Sequence, residues 1–491
     1  MILTIGLEIH IKLKSVNKMF CQCKNQQNFD DLVPNTNICP VCTGQPGALP
    51  TLSEEVLEKV LLLGKALQCT INETSAFDRK SYFYPDLPMG YQITQLYHPT
   101  NTEGQISFFL DNYITEKIVH LQDAHMECDT GKMIHDGNQA LLDFNRAGTP
   151  LVEIVTKPDF STTEEVIEFL KELQRIVRFN DIADADLEKG QMRVDVNISL
   201  RKSESDPLGT RVEVKNINSF GMIKRAIEHE RIRQEKIYET EKIFTQQTRG
   251  RNDVKGESYL MRSKEDALDY RYFPEPDLPP LKIDKKRMER LNGKEITIPH
   301  HIIKKLKEEY GFNKEYINAL IGDKEVLDYF FTILSHCEKG SDNTSRISGE
   351  AILGKLIVKR IAGPIAAWMK ENFKTIQELP FTKKQFSEFL IKAQKGSLIE
   401  NQLKIIMDVM LSTGKNPEAI IKEKGFDAPA INESELKTIV QQVLTDNPTI
   451  VEQYKGGKTT AIGFFVGQVM KKTGGKANPK TISEMIENLL K

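Results

Sequence analysis

The sequence holds one tryptophan in 491 residues and no apolar run long enough to span a bilayer. A helical membrane protein is thereby excluded. The opening residues pass directly into a strand-like pattern with neither a basic segment nor a cleavage motif, so a cytoplasmic location is expected. An excess of either charge is lacking as well. Lysine and arginine number 67 against 69 aspartates and glutamates, a formal net charge of −2, and a polyanionic partner must therefore be met by a local patch. No dinucleotide fingerprint, H-E-x-x-H or G-x-S-x-G is present. The stretch "YKGGKTTAIGF" carries Gly457, Lys458 and Thr459 like the tail of a phosphate-binding loop. Glu452 stands where that loop needs its first glycine, and no apolar strand precedes it, which excludes a nucleotide site there.

Cysteine is present but unevenly spread. Four of the seven fall in "FCQCKNQQNFDDLVPNTNICPVCTGQPG", where Cys21 and Cys23 form C-x-C and Cys39 and Cys42 form C-x-x-C, fifteen residues apart. In a reducing compartment four thiolates so spaced suit zinc better than disulfides, with free thiols as the other reading. Four sulfur ligands leave no open position, so the zinc is structural. Cys69, Cys128 and Cys337 are isolated.

In "TIGLEIHIKL", Ile5, Leu7, Ile9, Ile11 and Leu13 alternate with Gly6, Glu8, His10 and Lys12, the pattern of a half-buried strand. Glu8 and His10 share a face about 6.6 Å apart and could converge on one ion or phosphate; a solvated sheet face is the alternative. Thr51 with Glu54, and Ser161 with Glu164, mark the starts of two helices, the second with Val166, Leu170, Leu173 and Val177 on one side. "RVDVNISL" and "TRVEVKNI" read as the arms of a hairpin, and "FDRKSYFYPDLPMGYQITQ" is a loop aromatic enough to line a pocket. A helix follows from Asn218, then the proline-rich "DYRYFPEPDLPPL", a natural domain edge, and a helical pattern from Pro299 onward. His300 and His301 sit at a helix start, where capping or exposure explains them better than metal. The length allows two to four domains. The last 37 residues hold Lys455, Lys458, Lys471, Lys472, Lys476, Lys480 and Lys491 against two glutamates, either a phosphate-binding patch or a solvated face.

The stretches "GLEIH", "PNTNICPVCTGQPGALP", "FDRKSYFYPDLPMGYQI", "DFNRAGTPLVEIV", "EVKNINSF", "DYRYFPEPDLPPL" and "GFFVGQVMKKTGGKANPK" together resemble the B-subunit family of the bacterial aspartyl/glutamyl-tRNA amidotransferases. They run from one end of the chain to the other and thin out between about Lys285 and Asn401. The resemblance implies an α+β protein: an antiparallel β-sheet cradle with a zinc-binding insertion over 1–290, a helical domain over 291–405, and a small helical tail over 406–491 that meets tRNA. It implies a heterotrimer in which the chain joins an amidase and a small third protein, the A and C components of the complex. It also implies ATP-dependent phosphorylation of the side-chain carboxylate of Glu-tRNA(Gln) or Asp-tRNA(Asn), followed by amidation with ammonia from the amidase. A C–N ligase of this kind uses ATP and Mg2+ beside the structural Zn2+. Glu8, His10, Glu127 and Glu213 are the candidate magnesium ligands and catalytic groups. Lys80, Asn216 and Ser219 are candidates for ATP or substrate, and Lys455, Lys458, Lys471, Lys472 and Lys476 for tRNA. Three departures stand out: Cys128 and Gln247 replace the usual glutamates, and Lys189 interrupts an acidic pair. They leave a non-catalytic tRNA-binding scaffold as the second reading. No glutaminase signature is visible, so ammonia must be borrowed.

Overall fold

Strict alternation sends Ile5, Leu7, Ile9 and Ile11 to one side of the first strand, where they are 0–1% exposed. That strand, β1 (Ile2–Lys12), becomes the centre of a sheet. The computed structural model describes residues 1–29, 31–240, 244–252, 257–263, 269–338, 346–396, 398–426, 433–456, 459–473, 477 and 479–490. In chain order, β1 is followed by α1 (Glu54–Ala66), β2 (Thr70–Ile71), β3 (Thr74–Ser75), β4 (Asp78–Ser81), β5 (Tyr91–Thr94), β6 (Asn101–Leu110) and β7 (Thr115–Cys128). Next come β8 (Lys132–Asp136), β9 (Gln139–Asp143), β10 (Pro150–Thr156), α2 (Thr163–Phe179), β11 (Met192–Arg201), β12 (Val212–Ile217) and α3 (Phe220–Glu239). The first part of the chain ends with β13 (Gln247–Asn252), β14 (Glu257–Ser263), β15 (Phe273–Pro274), β16 (Leu281–Lys282), α4 (Lys285–Gly293) and α5 (Pro299–Glu308).

Nine strands pair in the order β14-β13-β12-β11-β1-β10-β7-β6-β2. All neighbours are antiparallel except β12 and β13, whose parallel pairing needs a crossover that α3 supplies. The hairpin read from sequence is present, with Val196 opposite Val214. Helices α1, α2 and α3 pack against one face of the sheet, and the apolar residues between them form the main core. Val166, Leu170, Leu173 and Val177 of α2 are all fully buried there. The opposite face is left to the polar members of each alternation. A second small sheet, β15-β4-β5, carries the aromatic loop's first strand.

The two expected caps are displaced. Helix α1 starts after Ser53, which makes no side-chain cap, and Thr51 uses only its backbone N–H, donating to Phe20 O. Helix α2 is closed one residue later than expected, by a reciprocal capping box between Thr162 and Glu165. The chain separates into two compact units, 1–305 and 306–491, and α4, which runs across residue 290, buries Leu291 in the core of the first.

In the second unit the described residues are helical: α6 (Lys314–Ile321), α7 (Lys324–Glu338), α8 (Arg346–Arg360), a π-helical turn (Ile361–Ile365), α9 (Ala366–Asn372), α10 (Lys383–Gln394) and α11 (Glu400–Thr413). The expected edge at 405/406 falls inside α11, whose Leu403, Ile406, Met407 and Met410 form one buried face. Helices α12 (Pro417–Glu423), α13 (Glu433–Thr445), α14 (Pro448–Lys455), α15 (Ile462–Lys472) and α16 (Pro479–Leu490) complete it, and α13, α15 and α16 close around Leu436, Val440, Phe465, Val469, Ile482 and Ile486. No helix among the described residues is long and apolar enough to cross a membrane.

Gly64 fixes how closely α1 approaches the sheet. A Cβ there would come within 2.0 Å of Asn101 Oδ1. The Asn101 amide donates to Val60 O (3.2 Å) and Ala124 O (3.1 Å), tying α1 to β7. Gly64→Ala is expected to cost about 1–3 kcal/mol of stability through overpacking, read as a lower urea midpoint at unchanged slope.

Candidate active site

Strand register decides what each polar side chain of β1 meets. His10 lies opposite Glu153 of β10 and Arg193 of β11, and Glu153 lies opposite His125 of β7. His10 Nε2 is 3.2 Å from Glu127 Oε1 and 3.4 Å from Glu153 Oε2. His125 places Nε2 3.4 Å from the same Glu153 oxygen and Nδ1 2.7 Å from Asp123 Oδ1. Burial alone would deprotonate both rings, but the carboxylates outweigh it: His10 is held well above the ordinary imidazole range and His125 is pushed up to about 10. Burial opposes ionisation of Glu153 too, yet the two imidazoles hold its carboxyl well below the usual range.

Glu127 is only 3% exposed, and its Oε2 has no hydrogen-bond partner among the described residues. Such an oxygen is costly unless an ion or a ligand claims it. Donor atoms of His10, Glu127 and Glu153 lie within 4.8 Å of one another. One imidazole nitrogen and two carboxylates can hold a hard divalent cation while leaving positions for phosphate oxygens and water. The Nε2 proton and a metal ion compete for one lone pair, so the charged ring marks a place a cation can take.

Glu8 belongs to another group. It lies opposite Asp195 of β11, and with Glu213 of β12 these carboxylates form a second set within 4.8 Å. Asn197 Nδ2 donates to Glu8 Oε1 (3.0 Å) and Thr248 Oγ1 to Glu213 Oε2 (2.9 Å). Lys215 Nζ sits 2.5 Å from Asp195 Oδ2 and 2.8 Å from Glu213 Oε1. Burial and then the charge of Glu213 raise the Glu8 carboxyl; against burial, Lys215 and Thr248 keep Glu213 low. The four candidate ligands therefore divide, His10 with Glu127 and Glu8 with Glu213. Glu153, Asp195, His125 and Lys215 were missed in the sequence, although each occupies a polar position of an alternating strand.

Beside His10 opens a cavity of about 490 Å³ with Lys12, Arg146, Lys189 and Arg193 in its wall, and Phe29 on the other side. Arg193 and Arg146 hold Asp129 ionised from 3.1 and 3.4 Å. Lys12 is buried and pulled down to about 8, chiefly by burial; its ammonium donates to the carbonyls of Gln26 and Gln27 and lies 4.2 Å over the Phe29 ring.

The segment bearing Gln26, Gln27 and Phe29 runs between the two cysteine pairs. All four sulfurs lie within 4.8 Å of one another, with Cys39 and Cys42 Sγ 3.8 Å apart, the edge of a tetrahedron built on ~2.3 Å Zn–S bonds. Cys42 Sγ accepts from Cys39 N (3.2 Å) and from Lys18 Nζ (3.6 Å). Contact with Cys21 and then the Lys18 charge, against burial, bring the Cys42 thiol down to about 5. These sulfurs fit a zinc ion.

The GatB/GatE catalytic domain family matches residues 3–289, and the GatB domain family matches residues 346–490. Curated relatives include the B subunit of the aspartyl/glutamyl-tRNA(Asn/Gln) amidotransferase from Thermoanaerobacter pseudethanolicus, 38% identical over 487 residues, covering 99% of this chain and 98% of the relative. Those of Persephonella marina and Pseudothermotoga lettingae are each 39% identical, covering 99% of this chain and 99% and 98% of the relatives. The chain belongs to the amidotransferase B-subunit family.

Against that family's pattern the departures take on geometry. Cys128 follows Glu127 on β7 and so points to the opposite, apolar face, where it is 3% exposed, part of the main core, and its thiol is pushed up to about 12, chiefly by burial. A missing glutamate there removes nothing from the His10 group. Gln247 accepts from Arg249 Nη1 (3.1 Å), and Lys189 pairs with Asp186 at 3.5 Å. Lys80 on β4 stays charged despite burial, in the field of Glu127, Tyr272 and Glu153, with Nζ 5.2 Å over the Tyr270 ring. Ser219 caps α3, accepting from Met222 N (3.2 Å), which is a structural task. Asn216 lies on β12, but its side chain is outside the described residues. His300 is buried and stacked 4.6 Å from Phe109, with Nε2 2.9 Å from Glu116, not exposed as one reading had it.

Of the tail lysines in this B-subunit chain, Lys455, Lys471 and Lys472 are exposed, Lys472 being 2.9 Å from Asp446. Lys458, Lys476 and Lys491 lie outside the described residues, as does the side chain of Lys480. The cysteine geometry makes a measurable claim: protein purified without chelators should carry about one equivalent of zinc by atomic emission. Cys39→Ser should lower that content and expose the 21–42 segment to protease before it unfolds the sheet. Zinc below about half an equivalent in the unmodified protein refutes the assignment.

Proposed function

We propose that this chain activates the side-chain carboxylate of glutamate or aspartate misattached to tRNA, as the B subunit of a tRNA-dependent amidotransferase working with the amidase and the small third protein of a heterotrimer. The observation that carries this is the His10, Glu127 and Glu153 group, with Glu127 buried and one of its oxygens unclaimed among the described residues, where His10 borders a cavity lined by Lys12, Arg146 and Arg193. A carboxylate is a poor acyl donor. Its oxygen attacks the γ-phosphorus of ATP, the bond to the bridging oxygen breaks with release of ADP, and the product is an acyl phosphate. Ammonia then adds to the acyl carbon, phosphate leaves with the C–O electron pair, and loss of a proton gives the amide. Such transfer depends on positioning and charge neutralisation more than on a strong nucleophile.

His10, Glu127 and Glu153 would hold Mg2+, which supplies neutralisation of phosphate charge when bound. Lys12, Arg146 and Arg193 in the cavity wall receive the rest of the triphosphate, Phe29 offers a ring for the base, and the 21–42 segment, stapled by zinc, fixes that wall. Lys80 presents a fixed positive charge beside Glu127 and Glu153 where the acyl phosphate forms. The position of Cys128 on the core face favours this over a decayed scaffold.

His10→Ala or Glu127→Ala in the reconstituted complex should abolish tRNA-dependent ATP hydrolysis and amide formation, by about 10²-fold or more, while the partner's glutamine hydrolysis persists. Normal amide formation by either variant removes the assignment. For the tail, Lys471, Lys472 and Lys476 changed together to Gln should weaken tRNA binding and flatten its dependence on salt, leaving turnover at saturating tRNA intact. An unchanged affinity and salt slope would make the patch a solvated face.

A further inference from the structure

The segment "DYRYFPEPDLPPL", read from its prolines as a domain edge, is built into the first unit. Phe273 and Pro274 form β15 against Arg79 and Asp78 of β4, and Ser81 N donates to Tyr270 O at 2.9 Å. The Arg79 guanidinium grips Glu275 with two parallel bonds, Nε to Oε2 and Nη2 to Oε1, each at 2.8 Å, while its Cζ lies 4.1 Å over the Tyr91 ring. Glu275 is 3% exposed, and its backbone N–H donates to Phe77 O at 2.8 Å. Fastened through both backbone and side chains, the segment is a clamp on β4, the strand that carries Lys80.

What the clamp presents to Lys80 is a set of rings. Tyr270 and Tyr272 stand edge-on with centroids 6.0 Å apart, and Tyr82 meets Tyr270 in the same manner at 6.1 Å. Between the two clamp tyrosines Arg271 holds φ at 44°, a left-handed conformation that a residue other than glycine keeps only where its surroundings impose it. The Tyr270 side chain is hydrogen-bonded to Arg262, and the Tyr82 hydroxyl donates to Gln92 Oε1 at 3.1 Å, so both rings are held at their hydroxyl ends. Lys80 Nζ lies 5.2 Å over the Tyr270 ring. Among the described residues that ammonium has no carboxylate within 4.0 Å and no hydrogen bond, although it lies in the field of Glu127 and Glu153. A ring face attracts a cation through its quadrupole without consuming an N–H, so the ammonium is located while its donors stay available.

We propose that Tyr270 is a positioning residue for Lys80: its ring, set by the clamp, holds the ammonium beside the His10, Glu127 and Glu153 group with N–H donors free for the phosphate and carboxylate oxygens of the substrate. The inference rests on the reading of Lys80 and of the His10 group given above. It gives the proline-rich segment a task in the reaction as well as in the fold.

Two measurements test it. In the full-length chain without substrates, acetylation of Lys80 by acetic anhydride, followed by mass spectrometry, reports how the ammonium is held. Tyr270→Leu and Tyr270→Met, which keep bulk and lose the ring, should raise the Lys80 rate at least about threefold, whereas Tyr270→Phe should stay within about twofold of the unmodified chain. In the reconstituted complex the first two should lower the kcat of amide formation by about 3- to 30-fold with the KM for ATP little changed, and Tyr270→Phe should recover most of that loss. Unchanged Lys80 acetylation in Tyr270→Leu and Tyr270→Met whose thermal melts show a folded protein overturns the inference, as does a loss of turnover that Tyr270→Phe shares or that falls on KM alone. Lys80→Met separates this inference from the reading beneath it. If that variant turns over normally, Lys80 has no part in the reaction and the task assigned to the ring falls with it, while the acetylation rates still decide whether Tyr270 holds the ammonium.

Discussion

A sheet covered by helices on one face and holding its ionisable residues on the other must balance charge between neighbouring strands, because those residues are too buried for water to do it. The central strands here meet that constraint by alternation across the sheet as well as along it. His10 stands between Glu127 and Glu153, His125 between Glu153 and Asp123, and Lys215 between Asp195 and Glu213. Every one of these cations is flanked by two acids, and most pairs join different strands. Register is therefore doubly specified: a slip of one residue on β1 would turn Ile9 and Ile11 out of the core and His10 into it.

The same constraint explains why the polar floor can be chemically active. A carboxylate with a partner on each oxygen, as Glu213 has in Lys215 and Thr248, is held in place by them. One left with a free oxygen, as Glu127 is, retains the capacity to bind something. Protonated His10 satisfies only the other Glu127 oxygen. The floor thus combines a charge-paired lattice with unsatisfied oxygens, the carboxylate oxygen of Glu127 among them, next to His10 at the edge of the cavity that Lys12, Arg146 and Arg193 line.

The cysteine lobe serves that cavity from the other side. Backbone bonds fasten its flanks to the body, Met19 N to Gly148 O and Ser53 N to Met19 O, and the four sulfurs gather its two ends. Gln27, Asn28, Phe29, Leu32 and Pro34 between them face the cavity, and the Gln26 and Gln27 carbonyls receive the Lys12 ammonium. A segment with no regular secondary structure can hold a wall in place only if something other than strand or helix hydrogen bonds constrains it, and a four-thiolate cluster is suited to that.

Much of this was legible in the residues themselves. Alternation along β1 and β11, the apolar stripe of α2, the four clustered cysteines and the family's ordered motifs identified the α+β architecture and pointed to Glu8, His10, Glu127 and Glu213, because these signals are periodic or local. Helix starts came out displaced by a residue or two, since Ser, Thr and Glu at neighbouring positions compete for the same cap. What the sequence could not decide was which acids come together, for that depends on the pairing of strands more than a hundred residues apart. Glu153 faces His10 only because β10 lies beside β1, and Asp195 faces Glu8 only because β11 lies on its other side. Which face Cys128 takes, and that Lys215 is the counter-charge of Asp195 and Glu213, were likewise decided by tertiary packing. The period of a strand fixes which residues share a face, and only the assembled sheet fixes who stands across from them.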